Sequence, residues 1–179
     1  MQLTFKNRIS LPFRMYIKNL LAIILICFSY VSSAQESLSE LLKKHNSNSV
    51  PYITVQELAM PKTQAIILDA REEQEFEVSH IKNALHVGYN EFDIKTVEQK
   101  LINRNKLIVV YCSLGIRSED IAEQLKNSGY TNVYNLYGGI FEWKNNDFKV
   151  YDNNDETNKI HGFSKAWSKW LIKGDCVYE

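Results

Sequence analysis

Cys112 closes the run "KLIVVYC", and Arg117 and Ser118 open "RSEDIAEQLKNSG". Between them lie only Ser113, Leu114, Gly115 and Ile116. A thiol is a strong nucleophile once ionised, and it ionises most readily where positive charge is at hand. A short glycine-containing loop between a strand and a helix can turn successive backbone N–H groups toward one centre, forming an anion-binding nest. The helix N-terminus adds partial positive charge and Arg117 a full one, while Glu119 and Asp120 in the first helical turn work against both. Such a group of residues can prepare Cys112 as a nucleophile and hold an anionic group attached to its sulfur. Taken alone, it also fits an inert buried thiol beside a surface arginine, so the surrounding elements must decide.

Those elements follow from the hydrophobic pattern. "KLIVVYC" is rich in β-branched residues and reads as a strand, and "SEDIAEQLKNSG" reads as a helix with Ser118 as its cap and Gly129 as its stop. "AIILDA" is a continuous apolar run, the pattern of a strand covered on both faces. "REEQEFEV" predicts a charged helix with Phe76 facing inward, "ALHVG" a short strand, and "NEFDIKTVEQKLIN" a helix carrying Phe92, Val97 and Leu101. "TVQE", at Thr54–Glu57, has capping-box spacing and opens a short helix; "NVYNL" is another buried strand, and "GGIFEW" starts a further helix, with Gly138 and Gly139 serving close packing. Strands alternating with helices predict an α/β fold, a central and mostly parallel sheet of about five strands with helices on both faces. In such sheets ligands bind at the carboxyl ends of the strands, which is where Cys112 falls.

With these residues in place, the chain from about Tyr52 to Trp143 resembles the rhodanese-like domain family. "LDAREEQEFEVSHIKNALHV" is similar to the family's Asp-x-Arg turn, acidic helix and His-Ile step, "VVYCSLGIRS" to its active-site loop, and "LKNSGYTNVYNLYGGIFEW" to its closing strand and Gly-Gly helix. The resemblance implies a single-domain sulfurtransferase of the thiosulfate:cyanide type, with Cys112 as nucleophile and persulfide carrier and no other cofactor. It implies that backbone N–H groups of Ser113, Leu114, Gly115, Ile116 and Arg117 hold the sulfur's charge, that the Arg117 side chain meets an anionic donor, and that Asp69, Arg71 and Ser118 support the loop. The six residues from Cys112 to Arg117 match the loop length of sulfur transfer, and related phosphatases use one residue more. The partners implied are a small sulfane donor, thiosulfate or a persulfide, and a thiophilic acceptor such as cyanide or a thiol. Leu114 and Ile116 are apolar where efficient thiosulfate users often carry basic groups, a departure that puts thiosulfate itself in question and leaves room for an apolar or protein-borne persulfide. Two other readings stay open: a non-catalytic module of this family that binds a protein partner, and a redox pair made of Cys112 and Cys176.

Composition narrows the classes. The formal net charge is zero, from 21 Lys+Arg and 21 Asp+Glu, and no basic excess marks a nucleic-acid binder. Lys6, Arg8, Arg14 and Lys18 precede the apolar core "LLAIILICFSYV" and the small residues of "SSAQ". That is the layout of a secretory signal over residues 1–34, so the chain is expected to be exported, periplasmic or secreted, and to meet a membrane only through an uncleaved signal. Residues 35–49 read as a weak helix decaying into a linker, 50–150 as the rhodanese-like domain, and 151–179 as a C-terminal extension. In that extension Trp167 and Trp170, three apart, predict a short helix packed on the domain. His80 and His86 read as structural, and no metal-ligand cluster is expected around them.

Overall fold

The computed structural model describes residues 37–153 and 155–178; the expected signal segment lies outside them. Helix α1 (Leu38–His45) comes first, then β1 (Tyr52–Ile53), α2 (Val55–Ala59) and β2 (Ile66–Asp69). There follow α3 (Glu73–Val78), β3 (Leu85–His86), α4 (Ile94–Lys100), β4 (Ile108–Tyr111), α5 (Arg117–Asn127), β5 (Val133–Leu136) and α6 (Gly139–Asn145). The expected sheet is present: five parallel strands in the order β1-β5-β4-β2-β3. All four residues of the central strand β4 are buried, as its unbroken apolar run requires.

Side-chain alternation along β4 divides the core in two. Val109 and Tyr111 join one cluster with Leu41 of α1, Val55 and Leu58 of α2, and Ile140 and Phe141 of α6. Ile108 and Val110 join the other, with Val97 of α4 and Ile121, Ala122 and Leu125 of α5. Helices thus cover both faces. The capping box predicted at Thr54 and Glu57 is formed and starts α2.

Both flanks differ from expectation. The expected weak helix is present, and the stretch after it is bound to the body. A capping box between Ser37 and Glu40 starts α1, Leu41 and Leu42 are buried, and the polar stretch after it is tied to the body by Ser47 and Ser49 N–H groups donating to Glu119. The Asn/Ser composition that suggested a linker supplies hydrogen bonds instead. The extension builds a hairpin from β6 (Val150–Asp152) and β7 (Asp155–Thr157) and a parallel pair from β8 (Lys159–His161) and β9 (Asp175–Val177). The predicted tail helix is a single 3-10 turn, Ser168–Trp170. A spacing of three suits a 3-10 turn as well as an α-helix. Trp167 and Trp170 pack against the first cluster.

Candidate active site

Cys112 follows β4 directly, at the carboxyl end of the sheet's central strand, and the five residues to Arg117 carry the chain into α5. The loop is shaped by what its carbonyl groups are given to bind. Cys112 O accepts the Ile140 N–H at 2.9 Å and Ser113 O the Phe141 N–H at 3.2 Å, both from the first turn of α6. Gly115 O accepts two side-chain amides, Nδ2 of Asn46 and Nδ2 of Asn135, each at 2.8 Å. In a planar trans peptide C=O and N–H point opposite ways. Each carbonyl drawn outward therefore turns the next N–H, those of Ser113, Leu114 and Ile116, toward the inside of the loop. Among the described residues none of these three amides has an acceptor. The Gly115 N–H donates to Cys112 Sγ at 3.1 Å, from a left-handed φ of 99° that favours glycine. The nest expected from the loop's length thus has its peptide groups set by contacts on its outer side.

Ser118 is not the helix cap. Ile116 holds that position, and the buried Ser118 hydroxyl instead donates to Asn135 Oδ1 at 2.7 Å and stands 3.5 Å from Cys112 Sγ. Glu119 and Asp120 are both engaged away from the loop by neutral donors, which leaves their charges in place. Glu119 accepts the Ser47 and Ser49 N–H groups, and Asp120 accepts the Tyr89 hydroxyl at 2.7 Å.

Arg117 is 7% exposed and already paired. Its Nη1 lies 2.7 Å from Glu75 Oε2 and its Nη2 2.8 Å from Oε1, with Ser113 Oγ bridging to both partners at 2.9 and 3.0 Å. Its Nε is buried with no partner among the described residues. Burial works against this cation, and the Glu75 hydrogen bonds together with nearby Cys112 hold its pKa above the ordinary value. Arg117 is therefore not freely presented to an anionic donor. Glu75 was not among the residues expected at the site. The charged helix α3 turns it inward, while its neighbour Phe76, expected inside, is only half-buried.

The pair gives the fold a pH dependence. Burial alone would raise the Glu75 carboxyl, but Arg117, with Arg71 farther away, lowers it below its ordinary 4.5. A depressed carboxyl binds fewer protons folded than unfolded, so its stabilisation is present above that value and lost as pH falls through the folded one. In urea denaturation the wild-type midpoint is expected to fall more steeply below pH 4.5 than that of Glu75→Gln. Parallel curves would remove Glu75 from the account.

Asp69 and Arg71 lie one layer deeper, both without exposed surface. Arg71 Nε is 2.9 Å from Asp69 Oδ1, and its Nη2 reaches Asp69 Oδ2 and Ser79 O, each at 2.6 Å. The Tyr111 hydroxyl donates to Asp69 and accepts the Ile81 N–H, so the residue before Cys112 is anchored at its side-chain end. Burial, then the Asp69 charge, pushes the Tyr111 hydroxyl well above its usual range. It stays a donor. His86 contacts Arg71 O at 2.8 Å, and His80 stacks on Phe76 with ring centres 4.1 Å apart. Cys176 is exposed on β9, and both it and Cys112 are free thiols.

Asn46 and Asn135 were also unforeseen. Asn135 sits on the buried strand β5, where a polar residue in an apolar run is the available signal; Asn46 lies in the expected linker and left none. Cys112 itself has no exposed surface.

A family model described as "Rhodanese-like domain" matches residues 53–146, more than half of the chain. A tRNA uridine(34) hydroxylase of Citrobacter koseri is 38% identical over 82 residues, which are 44% of this chain and 23% of that protein. The chain spans about a quarter of the length of the curated relatives it matches. Among solved structures, thiosulfate sulfurtransferase from Pseudomonas aeruginosa has a TM-score of 0.53 at 21% identity, over 68% of this chain and 23% of that one. The BH2092 protein from Bacillus halodurans has a TM-score of 0.51 at 20% identity, over 65% and 87% of the two chains. At these identities the structures speak for the fold.

Proposed function

The chain belongs to the rhodanese-like domain family, and on that footing we propose that it is a sulfurtransferase carrying sulfane sulfur as a persulfide on Cys112. One observation carries the reading: the carbonyls of Cys112, Ser113 and Gly115 are bound by groups outside the loop, while the N–H groups that follow them have no acceptor among the described residues. In the first half-reaction the Cys112 thiolate attacks the outer sulfur of a donor R–S–SH. The donor's S–S bond breaks, R–S⁻ leaves, and Cys112–S–SH forms. An acceptor thiolate R′–S⁻ then attacks the outer sulfur, giving R′–S–SH and the Cys112 thiolate. Cyanide in the acceptor's place leaves as thiocyanate. Sulfur moves between nucleophiles of one kind, so no external oxidant or reductant is consumed.

The N–H groups of Ser113, Leu114 and Ile116 suit the negative charge on the outer sulfur of a deprotonated persulfide, and the Gly115 N–H suits the inner sulfur. Arg117 adds its charge to the loop from within its pair with Glu75. We take the donor to be an organic or protein-borne persulfide, because Leu114 and Ile116 offer no charge to an oxyanion. The basic start, apolar core and small residues of the first 34 positions support export. The tRNA activity in the relatives' name belongs to proteins of which this chain covers 23%, and a formal net charge of zero gives it no support.

Mass spectrometry is the direct test. After incubation with a sulfane donor the protein is expected to gain one sulfur, about 32 Da, on Cys112, and to lose it to a thiol. No gain with thiosulfate or with organic persulfides would leave the non-catalytic module as the better reading.

A further inference from the structure

The extension after Val150 lies beyond the family match, yet it reaches the active-site loop. The Phe163 ring stands over the Arg117 guanidinium, its centre 4.4 Å from Cζ. Phe163 holds a left-handed backbone, φ 58°, which bulky side chains rarely adopt. Its N–H is bound by His161 Nδ1 at 3.1 Å and its ring packs on Trp167 at 5.0 Å. It remains 40% exposed. An unfavourable conformation at an open position, fixed by neighbours on both sides, is the kind of outlier that marks a functional constraint.

What Phe163 covers is the charge a small oxyanion would seek. Both Nη atoms of Arg117 are taken by Glu75, Nε is buried, and the ring lies over one face of the guanidinium. Cys112 has no exposed surface, so a donor reaches it only by displacing part of its cover. A donor with an apolar organic body can replace the ring's contacts with contacts of the same kind. A hydrated dianion such as thiosulfate must shed water and then face the Glu75 carboxylate, 2.7 Å from the same guanidinium.

We propose that Phe163 is a specificity-determining residue, covering one face of Arg117 so that Cys112 is loaded by sulfane donors with an apolar body in preference to small sulfur oxyanions. This rests on the sulfurtransferase reading above and extends it to a donor class.

The test compares rates of persulfide loading on Cys112, read by mass in the full chain, with thiosulfate and with benzyl persulfide as the two donors. Phe163→Asn removes the ring while keeping a residue that tolerates the left-handed backbone. It is expected to raise the thiosulfate-to-benzyl-persulfide ratio about tenfold, the scale of one lost cation–π cover, and Phe163→Tyr to restore the wild-type ratio. A ratio unchanged in Phe163→Asn, or not restored by Phe163→Tyr, overturns the assignment while leaving the transferase reading intact. A wild-type chain loaded by neither donor takes both down together.

Discussion

Cys112→Ser is expected to abolish the proposed sulfur transfer and to leave the fold in place. The first half follows from chemistry: a serine hydroxyl is not ionised near neutral pH and cannot take up a sulfane sulfur as a stable adduct. The second follows from geometry. The substitution changes one buried atom for a smaller one, and the Gly115 N–H and Ser118 hydroxyl that face Sγ at 3.1 and 3.5 Å are suitable partners for an oxygen. The stability change should stay within about 1 kcal/mol. Turnover with a persulfide donor and cyanide should fall to the rate without enzyme, while the urea midpoint stays close to that of the wild type. Wild-type turnover in this variant would remove Cys112 from the mechanism.

Gly139→Ala is expected to damage both stability and transfer. Gly139 lies at the start of α6 with a left-handed φ of 56°, and a Cβ there would stand 2.8 Å from the Ser113 carbonyl and closer still to the Cys112 carbonyl oxygen. Those are the two carbonyls that Ile140 and Phe141 hold. The backbone cannot yield as a flexible side chain would, so the loop or the helix start must move. The left-handed conformation costs roughly 1–2 kcal/mol for alanine and the overpacking about 1–3. A fall in Tm on the order of 10 °C follows for a domain of this size. The surviving folded fraction should load sulfur more slowly, because the Ser113 and Leu114 N–H groups lose their orientation. An alanine variant with wild-type Tm and loading rate would show that α6 does not shape the loop.

The strand, the loop and the helix around Cys112 were legible because their signals are local: an unbroken apolar run, a glycine and an amphipathic helix within about twenty residues. The same holds for the capping box at Thr54. The remaining site residues come from far along the chain. Glu75 meets Arg117 across 42 residues and Asn46 meets Gly115 across 69. Neither has a periodicity that distinguishes it from surface residues of the same type, since a charged helix has many glutamates and a polar stretch many asparagines. Ser118 departs from its expected role for a related reason. Its type and place suit a cap, but Ile116 takes that position without a side-chain bond and leaves the hydroxyl to Asn135. The tail failed differently, because two tryptophans three apart are compatible with more than one kind of turn.

The hydrogen-bond partners of the loop carbonyls have a consequence for the nascent chain. Asn46 leaves the ribosome well before Cys112, but Asn135, Ile140 and Phe141 follow after it. Until those later residues emerge and dock, three of the four contacts that order the loop peptides are missing. On the proposed reading, the loop that serves Cys112 is thus completed only late in synthesis.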